Sequence, residues 1–300
     1  MLFRVLGSTG LKVSVIGVGT WQLGGEWGHA YSQAEADAIF DKAAELGINL
    51  LDTAECYGDH TSERFIGDYL ARHDRSRWVV ATKFGHRFNR FMDRTEDFSA
   101  AGVREQLEGS LKALKTDTID LYQFHSGTDG MFQNDELWSM LAEQKRLGKI
   151  QHLGVSITSR GSDLQARQAR ERGAETLQVV YNRLERNPER EAFPYAQKDR
   201  LGVLARVPLA SGILTGKFKP GATFAANDVR SNFDSGKMRS QIAEAEKLKE
   251  TEVPEGTPMG RWALAWCLKS PVVTCVIPGC KNPRQVAENA AAVDLATSIS

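Results

Sequence analysis

A (β/α)8 barrel is the fold the sequence predicts, on three observations. Eight short apolar runs alternate with segments of helical period along 300 residues. The rival is a doubly wound dinucleotide-binding sheet, and its glycine fingerprint is broken: Gly17-Val18-Gly19-Thr20-Trp21-Gln22 has glutamine where the third glycine belongs. Polar residues capable of chemistry close several successive runs, and a parallel barrel gathers its strand ends into one mouth.

The opening segment, Phe3-Arg4-Val5-Leu6, the turn Gly7-Ser8-Thr9-Gly10 and then Leu11-Lys12-Val13, reads as an extra hairpin. It is expected to close the bottom of the barrel, where apolar strand ends would otherwise meet water. The eight barrel strands are expected at 15–19, 48–51, 78–82, 119–124, 150–155, 177–181, 201–207 and 272–277. Ser32-Gln33-Ala34-Glu35 is a capping-box start for the first helix. Val103, Leu107, Leu111 and Leu114 make one apolar helical stripe. Asn282-Pro283 places a cap and an N1 proline before Val286 and Val293. No Pro/Gly/Ser-rich linker interrupts the chain, so residues 1–300 are expected to form one domain. Two longer connections, 84–98 and 209–235, follow strands and therefore belong to the C-terminal face, where long loops build sites.

Composition narrows the function. The chain is 41% hydrophobic and 25% charged with no net charge, which is ordinary for a soluble globular protein. No basic run suggests a nucleic-acid partner. No apolar run approaches about 18 residues and no signal-peptide core is visible, so no membrane association is expected. Four cysteines lack a C-x-x-C pair or a histidine cluster. No metal site is expected, and free thiols fit a cytoplasmic protein.

The most informative run is Asp52-Thr53-Ala54-Glu55-Cys56-Tyr57-Gly58, at the end of the second strand. The third strand ends at Lys83 and the fourth at His125. Each residue alone has an ordinary reading, as a helix cap, a turn tyrosine, a rim charge or a loop histidine. Together they form a proton-transfer set. Free tyrosine titrates near 10, too high to give up a proton easily at neutral pH. A neighbouring Lys83 ammonium should lower that value, and Asp52 should keep Lys83 charged. Neutral His125 can donate a hydrogen bond to a carbonyl oxygen. Tyr57 would protonate that oxygen while hydride adds to the carbon.

Asp52, Thr53, Ala54, Tyr57 and Gly58, with Lys83 and His125, resemble the motif of the aldo-keto reductases. The similarity extends to about residue 293 and includes Gly154-Val155-Ser156, Gln178, Tyr181-Asn182, Pro208-Leu209-Ala210-Ser211-Gly212 and Ile277-Pro278-Gly279. It implies a barrel that binds NADP(H) across its C-terminal mouth and reduces aldehydes or ketones, with Tyr57 as general acid, Asp52 and Lys83 tuning it, and His125 orienting the carbonyl. It also implies cofactor contacts at Thr20, Trp21, Asp52, Ser156, Gln178, Arg206, Pro208, Leu209, Ser211, Gly212, Leu214, Lys217, Gly279, Lys281, Arg284, Glu288 and Asn289. Ser156 and Gln178 match positions that hold the nicotinamide carboxamide, although Ile157 stands where the family usually has asparagine.

Small residues in 211–216 let backbone N–H groups approach a pyrophosphate, and Lys217 adds charge. Lys281 and Arg284, at a helix N-terminus, match the pocket for the adenosine 2′-phosphate and favour NADPH over NADH. Arg206 replaces an aromatic found in several family branches; it can stack on the nicotinamide or turn away and pair with an acid. Trp21, Trp27, Phe84 and Phe88 could wall an apolar substrate slot or pack a lid. His86, Arg87 and Arg90 add charge that either favours an anionic substrate or is a solvated face. The expected partner is a small carbonyl substrate, and the expected state is a monomer or a weak homo-oligomer. Two rival readings use the same residues: an NAD(P)-linked sugar or alcohol dehydrogenase running oxidatively, and an NADPH-sensing subunit of a channel.

Overall fold

The hairpin leads the chain: β1 (Phe3–Val5) and β2 (Lys12–Ser14) pair antiparallel. The computed structural model describes residues 1–298. Next come β3 (Val18–Gly19), β4 (Leu50–Asp52) and β5 (Val79–Phe84). A second hairpin, β6 (His86–Arg90) with β7 (Asp93–Glu96), interrupts the series. Then follow β8 (Ile119–His125), β9 (Ile150–Ser156), β10 (Ala174–Val180), β11 (Gly202–Arg206) and β12 (Val273–Val276). Leaving the two hairpins aside, eight strands lie in sequence order in one sheet, and every pair is parallel. The sheet curls until its edges meet. Gly17 N donates to Val276 O at 2.8 Å, Val276 N to Val15 O at 2.9 Å, and Gly19 N to Pro278 O at 3.0 Å.

Helices cover the outside, among them α1 (Gln33–Glu45), α2 (Thr61–Leu70) and α3 (Ala100–Leu114). The Ser32–Glu35 capping box forms in both directions, and Asn282 caps the Pro283–Ala290 helix by accepting from Gln285 N. The expected stripe Val103, Leu107, Leu111 and Leu114 is buried.

Two apolar layers follow from the two-residue period of a strand. Leu51, Val80, Tyr122, Phe124 and Val155 face outward into the core beneath the helices. Leu50, Val79, Ala81, Leu121, Leu204 and Cys275 face inward and pack with Leu6 and Val13 of the hairpin. The hairpin thus plugs the N-terminal end of the barrel, as the sequence suggested. Gly7 is required there: its φ is +56°, and a Cβ would lie 2.0 Å from Gly202 N. A third cluster, with Ile213, Leu214, Met238, Ile242 and Trp262, packs under the long connection after β11.

The segment 84–98, read from sequence as a long connection, holds the β6–β7 hairpin. Gln106 anchors it, accepting from Gly85 N at 2.6 Å and donating to Asp97 O at 2.8 Å.

Candidate active site

Strand parity decides which polar side chains meet. Asp52 continues the inward series of Leu50, Lys83 that of Val79 and Ala81, and Gln123 and His125 that of Leu121. Ser156, Gln178 and Arg206 hold the matching places on β9, β10 and β11. The apolar interior therefore gives way to a polar layer at the C-terminal end.

Lys83, 1% exposed, donates to Asp52 Oδ1 at 2.7 Å, to Thr53 O at 2.7 Å and to the Tyr57 hydroxyl at 3.2 Å. Asp52 Oδ2 accepts from Gln178 Nε2 at 2.6 Å. Tyr57 reaches this group from the loop after β4, which crosses the loop after β3 at two glycines. A Cβ on Gly58, whose φ is +67°, would meet Gly24 O at 2.5 Å. That close approach stacks Tyr57 on Trp21 with ring centroids 6.0 Å apart, while His125 meets the Tyr57 ring edge-on at 6.2 Å.

Burial opposes the charge on Lys83, but Asp52 and Tyr57 outweigh it and hold the ammonium above its ordinary range. His125 goes the other way: burial, then the neighbouring His86, Lys83, Arg206 and Arg94, hold its imidazole well below the usual value, so it is neutral at pH 7. The expectation that Lys83 brings the Tyr57 phenol below its ordinary value is corrected. Burial pushes the phenol up, Lys83 only partly pulls it back, and Asp52 adds to the rise. The phenol is therefore protonated at neutral pH rather than a phenolate.

Above this floor lies a cavity of about 910 Å³. Asp52, Tyr57, His125, Thr20, Trp21, Gln178, Arg206, Pro208, Leu209, Ser211, Gly212, Lys217, Gly279, Lys281, Arg284, Glu288 and Asn289 all line it. Lys83 lies beneath, behind Tyr57. Ser156 is buried and donates towards Gln178 Oε1 at 3.5 Å. Leu214 is fully buried in the third apolar cluster and is not among the residues that line the cavity. The chain turns left-handed at Val207, Ala210, Ser211 and Gly212, with φ of 55°, 47°, 55° and 96°. A β-branched residue rarely adopts such a value, and clustered left-handed residues aim N–H groups at an anion. Lys281 donates to Trp27 O at 2.9 Å. Among the described residues Arg206 pairs with no acid. Its Nη2 donates to Ile157 O at 2.9 Å, and its Nε is buried without a partner. Arg261 also lines the cavity with a buried, unpartnered Nε.

Several wall or rim residues escaped the sequence reading, among them Glu26, Arg94, Arg230 and Arg261. Glu26, 2% exposed, accepts from Trp21 Nε1 at 2.9 Å, Met92 N at 3.1 Å and Arg94 Nη2. Arg230 grips Asp228 at 2.8 and 2.6 Å and lies over the rings of Trp27, Phe218 and Phe224. Of the aromatics proposed as a wall, Trp21 and Trp27 line the cavity, whereas Phe84 belongs to the core. His86 lines the cavity; Arg87 and Arg90 do not. All four cysteines are buried free thiols, and the Cys56 thiol, in the wall, is pushed up to about 11 by that burial. Among the described residues no helix is long and apolar enough to cross a membrane.

Comparison with known proteins agrees with this geometry. YqkF of Bacillus subtilis, an uncharacterized oxidoreductase, is 33% identical over 294 residues, covering 95% of this chain and 89% of that one. The NADH-specific methylglyoxal reductase of Escherichia coli is 32% identical over 307 residues, covering 97% and 93%. Among solved structures, the holo form of the aldo-keto reductase AKR11C1 from Bacillus halodurans matches with a TM-score of 0.81 at 32% identity, covering 98% of this chain and 91% of that one. The model of the aldo/keto reductase family matches residues 15–300, and the chain belongs to that family.

Proposed function

We propose that the protein is an NADPH-dependent reductase of aldehydes or ketones. The observation that carries this reading is the buried chain Asp52–Lys83–Tyr57, facing neutral His125 on the floor of the large cavity. The dinucleotide, when bound, supplies the hydride. The cavity's size, the left-handed residues Val207, Ala210, Ser211 and Gly212 and the unpartnered donors of Arg206 and Arg261 fit such an anionic, elongated ligand. Ser211, Gly212 and Lys217 would hold its pyrophosphate, and Lys281 and Arg284 its 2′-phosphate.

The proton side belongs to the chain. His125 donates a hydrogen bond to the carbonyl oxygen and sets its direction. Tyr57 holds its proton until the oxygen gains charge, because burial keeps the phenol protonated. Lys83 then steadies the tyrosinate, and Asp52, held by Gln178, keeps Lys83 in place. Trp21 and Trp27 exclude water. The E. coli relative, NADH-specific by its name, makes NADH the competing cofactor.

The test is NADPH and NADH oxidation with an aldehyde panel in wild type and Tyr57→Phe. We expect NADPH to be preferred, and Tyr57→Phe to lower kcat by about 10²–10⁴-fold with NADPH affinity nearly constant. Turnover retained by Tyr57→Phe removes Tyr57 as the acid, and preference for NADH removes the 2′-phosphate assignment.

A further inference from the structure

We propose that Arg94 selects the substrate of this site, favouring carbonyl compounds that carry a carboxylate beyond the reacting group. The proposal rests on the reductase reading above and deepens it. Three arginines punctuate the β6–β7 hairpin and its flanks, and the fold sends them to different places. Arg87 pairs with Asp97 and Glu105 on the outer side. Arg90, 83% exposed, pairs with Asp93 in solvent. Arg94 alone of the three lines the cavity, with a side chain only 17% exposed. The strand register explains this: Arg94 stands opposite Phe88, and its guanidinium lies 5.7 Å from that ring.

The guanidinium is held by one nitrogen. Nη2 serves Glu26 and, at 3.3 Å, the carbonyl of Cys56, the residue before Tyr57. The Cys56 thiol also lies against the guanidinium, and among the described residues Nη1 and Nε make no hydrogen bond to an oxygen, so donor capacity remains for whatever enters the cavity. Arg94 is therefore fixed beside the catalytic loop with unused donors, and a fixed arginine loses little entropy when it binds a carboxylate.

The rest of this end supports an acidic substrate. Trp21 spends its Nε1 on Glu26 and offers only an apolar face. Asp52 is cancelled by Lys83 and Glu26 by Arg94, while Arg206 has no carboxylate partner and leaves a surplus positive charge. The other acid in the cavity wall, Glu288, lies beside Arg284 on the helix after β12. A sugar or polyol would require acceptors as well as donors, and Arg94 and the faces of Trp21 and Trp27 supply no acceptor at this end of the wall.

The experiment compares acids with their methyl esters, which share the carbonyl but not the charge: 4-carboxybenzaldehyde with methyl 4-formylbenzoate, and succinic semialdehyde with its methyl ester. We expect kcat/KM to favour each acid by about tenfold or more, mostly in KM, as one charge-assisted hydrogen bond provides. Arg94→Met should bring the acid-to-ester ratio close to one, and Arg94→Lys should keep part of it. If Arg94→Met does not fold because Glu26 is stranded, the Glu26→Gln/Arg94→Met double variant carries the comparison. In parallel, 4-(hydroxymethyl)benzoate and its methyl ester are titrated into the protein with NADP+. A ratio near one in wild type, or a preference that survives loss of Arg94, overturns the proposal. If none of the four aldehydes is reduced, the reductase reading fails, and the alcohol titration still decides whether Arg94 selects a carboxylate.

Discussion

The floor and the rim of the cavity are each organised by one buried carboxylate, and the two carboxylates hold very different things together. Asp52 on the floor accepts from Lys83 on β5 and Gln178 on β10, strands whose backbone ladders already fix them. Glu26 on the rim ties Trp21, Met92 and Arg94, and its own carbonyl accepts from Val229 at 2.9 Å. It therefore joins three segments, two of which also meet at a single backbone bridge, Trp27 with Asp228. The floor carboxylate is held by the fold, whereas the rim carboxylate holds the fold's loose parts.

Breaking the floor should have the larger effect. Lys83→Met strands the Asp52 charge, 4% exposed, in a barrel that cannot move aside. The expected cost is about 3–5 kcal/mol in urea unfolding, together with loss of turnover. Adding Asp52→Asn should recover most of the stability and none of the turnover. If the double variant is as unstable as the single one, lost packing rather than lost pairing explains the cost.

At the rim, Glu26→Gln should cost less, about 1–3 kcal/mol, because the loops can relax. Its signature is local. Amide exchange should rise together in 21–27, 86–96 and 225–233 while β5 and β8 stay protected. A uniform rise would mean that the rim is no independent unit.

Glu55 tests the ground between the two. It is 6% exposed, its Oε2 has no partner, and burial pushes its carboxyl from 4.5 up to about 7. Between those values the folded state holds a proton that the unfolded chain has released. Stability from this group is thus full below the unfolded value and is lost as pH rises through about 7. Glu55→Gln should gain roughly 1–3 kcal/mol over wild type at pH 8 and nothing at pH 4.5. An equal gain at both pH values would show that the effect is not titration.

The same contrast explains what was legible in the sequence. The floor residues stand at strand ends, and strand ends are marked locally by apolar runs and parity. Asp52, Lys83 and His125 could therefore be placed from their own neighbourhoods. Glu26 and Arg94 are 68 positions apart and are brought together only by the path of two loops. Arg87, Arg90 and Arg94 look alike in sequence, and the hairpin register that separates them is not visible in composition. The Tyr57 phenol shows a further limit. The direction of Lys83's influence follows from charge alone, but the larger effect of burial needs the surrounding walls.

The smallest expected effect concerns Arg206, where floor and cofactor side meet. Burial lowers its pKa, yet it stays a cation, and among the described residues no carboxylate pairs with it directly. A cation lining this cavity disfavours the positively charged oxidised nicotinamide more than the neutral reduced ring. Wild type should therefore bind NADPH more tightly than NADP+. Arg206→Ala should narrow that ratio by about three- to tenfold, as expected for two charges a few ångströms apart in a partly screened site. Arg206→Lys separates charge from shape: it keeps the cation but loses the planar group that can lie along a ring. If the bias is electrostatic, the lysine variant keeps the wild-type ratio while losing affinity for both forms. An unchanged ratio in the alanine variant would remove Arg206 from redox discrimination and leave it bracing Ile157.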